Sequence, residues 1–170
     1  MKNALASILL LVATSVSSAA GLTPDDFVDI EATSGIPEKV LYSLALTESK
    51  RNGKPWPWTM NYAGKSYYFA DRETLHKAVE LLLSRGRKNF DVGPMQVHWR
   101  FHSHLFASTW DATDPYINMA AGAQILIDRY NEYGNWVKAI AAYHSKTEHL
   151  GRNYLINFAK NYTKAKKEKM

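Results

Sequence analysis

Beyond its first twenty residues the chain places apolar side chains at helical spacing in one segment after another. Thr23 is positioned to cap a short helix, with Pro24 at the first helical position, Asp26 completing a reciprocal cap and Gly35 closing the segment. From Pro37, Val40, Leu41, Leu44 and Ala45 fall at i, i+1, i+4 and i+5 and make one buried stripe. Asp71 caps a helix predicted from Arg72 to Arg85, with Leu75, Ala78, Val79, Leu82 and Leu83 on one face and Gly86 at its end. Asp114, with Pro115 after it, starts a helix whose inward face is Met119, Ala123, Leu126, Ile127 and Tyr130. Gly134 turns the chain into a helix carrying Val137, Ile140, Ala141 and Tyr143, and Tyr154, Leu155, Phe158, Ala159 and Tyr162 mark a last amphipathic helix that buttresses the core. One stretch follows period two instead. Trp56, Trp58, Met60 and Tyr62 alternate, Gly64-Lys65 offers a turn, and Tyr67, Tyr68 and Phe69 follow, which predicts a small β-hairpin. The fold class is mainly α (α+β), with the hairpin inserted after the second helix.

The first twenty residues break this pattern. Lys2 supplies a positive start, Ala4 to Val16 an apolar run, and Ser18-Ala19-Ala20 a small-residue cleavage site, which together read as an export signal over residues 1–20. The run is well short of the 18 or more apolar residues of a spanning helix, so no stable membrane span is expected. Residues 21–163 then form one domain and 164–170 a basic tail.

Composition narrows the chemistry. The 170 residues include no cysteine, which excludes a disulfide framework, a thiolate zinc site and a cysteine nucleophile. The formal charge is +5, and the tail from Lys164 carries most of it, so the body is close to neutral and gives no nucleic-acid groove. No G-x-S-x-G elbow is present to place a nucleophilic serine. His98, His102 and His104 lie within seven residues but without an H-E-x-x-H pattern, and the reading is no metal and no cofactor.

Two positions stand out chemically. Glu48 extends the apolar stripe of the second helix, four residues after Leu44, near the negative end of the helix dipole. Either it is a desolvated carboxyl with a raised pKa, as a general acid requires, or it frays outward or pairs with Lys50 or Arg51. The second is Gly93-Pro94-Met95-Gln96, where a polar amide follows a rigid turn and serves as a core-edge hydrogen-bonder or a substrate ligand. Asp91 just before it either caps the turn or supplies a second carboxylate. Trp56 and Trp58, nearest Glu48 in the hairpin, either pack the hairpin on the core or stack on sugar faces.

Glu48-Ser49, Gly93-Pro94-Met95-Gln96, Asp114-Pro115 with Asn118 and Gly122, and Ala141-Ala142-Tyr143 resemble the E-S, G-x-M-Q, D-P-x-x-N-x-x-x-G and A-Y-N signatures of the soluble lytic transglycosylase (SLT) family, in the same order. They cover Leu22 to about Tyr162. The resemblance implies a lysozyme-like helical fold and cleavage of the β-1,4 bond between N-acetylmuramic acid and N-acetylglucosamine in peptidoglycan glycan strands. It puts Glu48 as the one catalytic group, acid and then base, and leaves 1,6-anhydromuramoyl ends. Gln96 resembles the glutamine that binds the sugar near the scissile bond, Met95 packs its turn, Ser49 supports the helix end, and Tyr143 steers Glu48 or the substrate. His144 stands where the family commonly has Asn and is its substitute. The long Trp56-Pro57-Trp58 insertion is similar to that of the subgroup found with conjugative transfer and type IV secretion systems, which implies such an apparatus as a partner and a periplasmic location. A hydrolytic muramidase using Asp91, or a glycan-binding component without catalysis, are the competing readings.

Overall fold

The structure is a computed structural model and describes residues 22–167. The expected leader lies outside the described residues, as does the end of the basic tail.

Helix α1 (Pro24–Ser34) begins at the reciprocal Thr23–Asp26 cap and stops at Gly35 in the left-handed region. Helix α2 (Glu38–Ser49) follows with Leu41, Leu44 and Ala45 fully buried. The chain then makes a short ribbon of β1 (Lys50–Arg51) and β2 (Lys54–Pro55). The hairpin comes next: β3 (Thr59–Tyr62) pairs antiparallel with β4 (Lys65–Tyr68), Tyr62 opposite Lys65. Its connection is Ala63-Gly64, both at positive φ (52° and 74°), so the turn lies one residue earlier than Gly64-Lys65 and Lys65 opens the strand. Two left-handed residues give the turn whose twist matches the paired strands.

After α3 (Arg72–Ser84), strand β5 (Phe90–Val92) adds to the free edge of β3, and β6 (Val97–His98) adds to β5, giving an antiparallel sheet in the order β4-β3-β5-β6. The last two strands are two and three residues long, too short to show a period of two in sequence. Short helix α4 (Trp99–His102), a single 3-10 turn (Ser103–Leu105) and α5 (Thr109–Ala112) lead to the long α6 (Pro115–Tyr133). Asp114 caps α6 by accepting from the Tyr116 and Ile117 N–H groups, and its other oxygen is anchored by the Arg72 guanidinium at 2.8 Å. Helix α7 (Trp136–His144) packs on α6, and α8 (Glu148–Lys167) packs on α2 and α7.

The protein is thus mainly α, a helical domain with a small antiparallel sheet inserted after α2. Met95, Met119, Leu126, Leu41, Leu44 and Val92 join helices and sheet in one core. Helix α8 continues through residues 164–167, which the sequence reading gave to a tail. Ala165, 1% exposed, extends the buried spacing of Tyr154 and Phe158 by two more turns and holds this segment on the body. Among the described residues no helix is long and apolar enough to cross a membrane.

Candidate active site

Glu48 lies in the last turn of α2. Ser49, which ends the helix, is buried and donates its hydroxyl to the Ala45 carbonyl at 2.8 Å. Its own carbonyl accepts from the Trp56 N–H at 3.0 Å, so the chain leaving the helix is pinned back against it. Neither Lys50 nor Arg51 forms an ion pair with Glu48. The Arg51 guanidinium instead lies over the rings of Trp56 and Tyr68, at 4.6 and 5.2 Å. Glu48 keeps part of its surface in solvent yet is closely ringed by protein. Its pKa is pushed up from 4.5 to about 8, chiefly by desolvation and in smaller part by the negative charge of Asp91, while the Tyr154 hydroxyl draws it down.

Tyr154 comes from α8. Its buried hydroxyl faces the carboxyl and falls short of a full hydrogen bond with it or any other described group. Burial and the Glu48 charge hold the phenols of both Tyr154 and Tyr143 well above their ordinary value, so both stay neutral donors. His144 is exposed and stacks flat on Tyr154, ring centres 4.9 Å apart.

The Gly93–Gln96 turn is held from three sides. Asn118 of α6 is fully buried, accepts from the Met95 N–H at 3.0 Å and donates to the carbonyls of Val92 and Ala112, both at 3.0 Å. Gly93, at φ +79°, leaves the space that the Asn118 amide occupies; a Cβ there would run into it. Gly122, one helical turn on, allows the Met95 side chain to lie where a Cβ would come within 2.7 Å of three of its atoms. The Tyr143 hydroxyl donates to the Met95 carbonyl at 2.8 Å. Tyr143 therefore steers the turn and not Glu48 directly, though it lies close enough for the Glu48 charge to act on it. Gln96 itself sits at φ +47°, a conformation that a non-glycine residue adopts at a cost, and its Nε2 donates to the Gly93 carbonyl at 2.9 Å, which leaves Oε1 as an acceptor.

Asp91 is not a turn cap. It lies on β5 directly opposite His98 of β6, and its carboxylate takes a 2.6 Å contact from His98 Nδ1. Desolvation pushes its pKa up, and the His98 hydrogen bond and charge, with a smaller contribution from His144, pull it down. The cluster around Glu48 is thus Tyr143 and Tyr154 as neutral donors and the Asp91–His98 pair as the nearest ionic group.

The other sequence candidates are more dispersed. Trp58 is 9% exposed with its ring in the core, and Trp56 is half-buried with its Nε1 donating to the Phe69 carbonyl at 2.9 Å. The rings of His102 and His104 lie 6.2 Å apart, and among the described residues no three His, Cys, Asp or Glu side chains are grouped to hold a metal ion. Tyr154 and the Asp91–His98 pair went unrecognised in the sequence. A tyrosine on an apolar helical stripe carries no mark of function, and the Asp-His pairing depends on a strand register that the sequence does not display.

Residues 27–169 match the family described as the transglycosylase SLT domain. No curated protein and no solved structure was found to match. With more than half its length in that match, and with three of the four motifs locked together by Asn118, Gly93, Gly122 and Tyr143, the chain belongs to the transglycosylase SLT domain family.

Proposed function

We propose that the protein is a peptidoglycan lytic transglycosylase in which Glu48 is the single catalytic group. The observation that carries this is a carboxyl with a pKa of about 8 that shares Tyr143 as a neighbour with the glutamine-bearing turn and at neutral pH is mostly protonated and ready to donate. In the first step Glu48 gives its proton to the glycosidic oxygen between C1 of N-acetylmuramic acid and O4 of N-acetylglucosamine, and the C1–O bond breaks. In the second, the Glu48 carboxylate takes the proton of the muramoyl 6-hydroxyl as that oxygen bonds to C1. The 1,6-anhydro ring closes, no water is consumed, and Glu48 is protonated again for the next turnover. Gln96 Oε1 is available to hold an amide or hydroxyl of the sugar, and Tyr143, through the Met95 carbonyl, fixes where that acceptor stands. Ser49 fixes the end of the helix that carries the acid. Trp56 is half-buried and His144, stacked on Tyr154, is exposed, and both rings are suited to sugar faces; Trp58 backs Trp56 edge-on from the core.

A second reading has its own observation. Asp91 is close enough for its charge to raise the Glu48 pKa, and two carboxyls flanking one bond are what a hydrolytic muramidase uses. The single-carboxyl reading is preferred because the Asp91 carboxylate is already held by His98. Mass spectrometry of fragments from purified peptidoglycan decides between them. Anhydromuramoyl ends are expected; reducing muramic ends would make Asp91 the second catalytic carboxyl. Glu48→Gln removes turnover while glycan binding persists, and a protein whose only role is to grip glycan would be indifferent to it. Action outside the cytoplasm goes with this substrate. The type IV secretion or conjugation apparatus rests on the Trp56-Pro57-Trp58 resemblance alone.

A further inference from the structure

Residues directly opposite one another on paired strands project to the same side of a sheet, and neighbours along a strand to opposite sides. Met60, Phe90, Val92 and Val97 are buried on the face that meets the core. The other face carries a straight row of polar side chains. Ser66 of β4 stands opposite Asn61 of β3, Asn61 opposite Asp91 of β5, and Asp91 opposite His98 of β6. All four lie within strands, so the register alone sets them side by side. Two residues along, Thr59 and Tyr68 continue the same face, and these tie it to the end of α2. Thr59 is buried, and the Tyr68 hydroxyl donates to the carbonyl of Lys50, two residues after Glu48, at 3.3 Å. Asp91, in the middle of the row, is close enough for its charge to act on Glu48. The row therefore runs along the wall of the Glu48 site. Asp91 is engaged by His98 Nδ1, which leaves His98 Nε2 free, and among the described residues neither the half-buried Asn61 amide nor the Ser66 hydroxyl has a hydrogen-bond partner. A half-buried amide with two donors and an acceptor is costly to leave unmatched, so Asn61 calls for a ligand of the same complexity.

We propose that this row is the bed on which a glycan strand lies, crossing the β-strands, with Asn61 reading the 2-acetamido group of a bound sugar. The proposal rests on the substrate class proposed above. Adjacent strands stand about 4.8 Å apart, so the row spans about 14 Å from Ser66 to His98. A β-1,4-linked pyranose chain advances by about one such spacing per sugar and turns over at each link. Laid across the sheet, it presents acetamido groups to the wall at alternate sugars, and Asn61 and His98 are two strands apart. The Asn61 amide offers an acceptor to the acetamido N–H and a donor to its carbonyl, and His98 Nε2 meets the sugar two places on. Asn61 and Ser66 both belong to the inserted hairpin, so the insertion extends the binding surface beyond Glu48 and Gln96.

The test uses the Glu48→Gln protein and two probes. Chitotetraose, the β-1,4 tetramer of N-acetylglucosamine, and cellotetraose, the same chain without acetamido groups, are titrated into it by calorimetry. Chitotetraose should bind at least about tenfold more tightly, and Asn61→Ala should remove that margin. Tyr67→Ala, exposed and one residue from Ser66 on the opposite face, should leave both affinities unchanged. NMR on the protein with Asn61 intact gives a reading that no folding defect can imitate: chitotetraose should shift the Asn61 side-chain amide and the His98 ring signals and leave Tyr67 where it is. Equal affinity for the two oligomers, chitotetraose binding as tight in Asn61→Ala as in its parent, or shifts that miss Asn61 would overturn the proposal. If the wild type cleaves no peptidoglycan while Asn61-dependent binding stands, the chemistry assigned to Glu48 fails and the glycan bed does not.

Discussion

The Glu48 carboxyl links stability to pH in a way that can be measured without any substrate. Its folded-state pKa of about 8 lies above the unfolded value of 4.5. Stability from this group is therefore fully present below pH 4.5 and is lost as pH rises through about 8. At pH 7 the unfolded chain has Glu48 ionised, and folding must return a proton to it. With 1.36 kcal/mol per pH unit, the interval from 4.5 to 7 costs about 3 kcal/mol if the carboxyl is fully desolvated. Its contact with solvent reduces this, and about 2 kcal/mol is the expected cost. Glu48→Gln has no proton to take up. The variant should match the wild type near pH 4 and exceed it by about 2 kcal/mol at pH 7, or about 5 °C in melting temperature for a domain of this size. Urea titrations of the two proteins at half-unit intervals from pH 4 to 9 give the difference directly, since the titrating groups not coupled to Glu48 cancel. A difference that stays flat over that range would refute a desolvated Glu48. The same variant should lose at least about a thousandfold in turnover, because the one group supplies both proton transfers in the proposed reaction.

Asp91→Asn removes a negative charge that raises the Glu48 pKa, so the basic limb of the kcat/KM profile should move to lower pH with activity retained; complete loss of activity would favour the muramidase reading. Tyr154→Phe removes the group that draws the Glu48 pKa down, and the basic limb should move the opposite way, to higher pH. Asn118→Ala strips three buried hydrogen bonds and should cost about 3 kcal/mol in denaturant unfolding, with turnover falling as the Met95–Gln96 turn loosens. Gly93→Ala should be as damaging, since the methyl meets the Asn118 amide and the backbone there is left-handed; a melting temperature within a degree of wild type would contradict this packing.

Most of the helical frame was legible from capping residues and apolar spacing. Thr23 with Asp26, Asp71 and Asp114 cap where the sequence places them, because a capping side chain acts within three residues of itself. The hairpin was legible for the same local reason, down to one residue of its turn. What escaped depends on distance in the chain. Strands β5 and β6 exist because β3 offers a free edge, and the pairing of Asp91 with His98 follows from that register. Tyr143 reads as a core aromatic until the Met95 carbonyl is brought to its hydroxyl across 48 residues. Tyr154 is placed beside Glu48 only by the packing of α8 on α2, where Asn161 also donates to the Thr47 hydroxyl at 2.9 Å.

The groups chosen to surround Glu48 explain how one carboxyl can serve both halves of the proposed reaction. A salt bridge to Lys50 or Arg51 would have lowered its pKa and produced a weak acid supply at neutral pH; the Arg51 guanidinium is held away over Trp56 and Tyr68. The groups beside it are instead neutral phenols, which enclose the carboxyl without adding positive charge. An acid so enclosed is mostly protonated before reaction, and once it has given up its proton the resulting carboxylate is a stronger base than an exposed glutamate by the same margin. The desolvation that makes the first transfer available therefore also drives the second, and the energy for ionising Glu48 in that enclosure has to come from the developing positive charge at C1. Any substitution that brings a cation to Glu48 should weaken both steps together, whereas one that disturbs only the Gln96 turn should act through the sugar's position and leave the basic limb of the pH profile where it is.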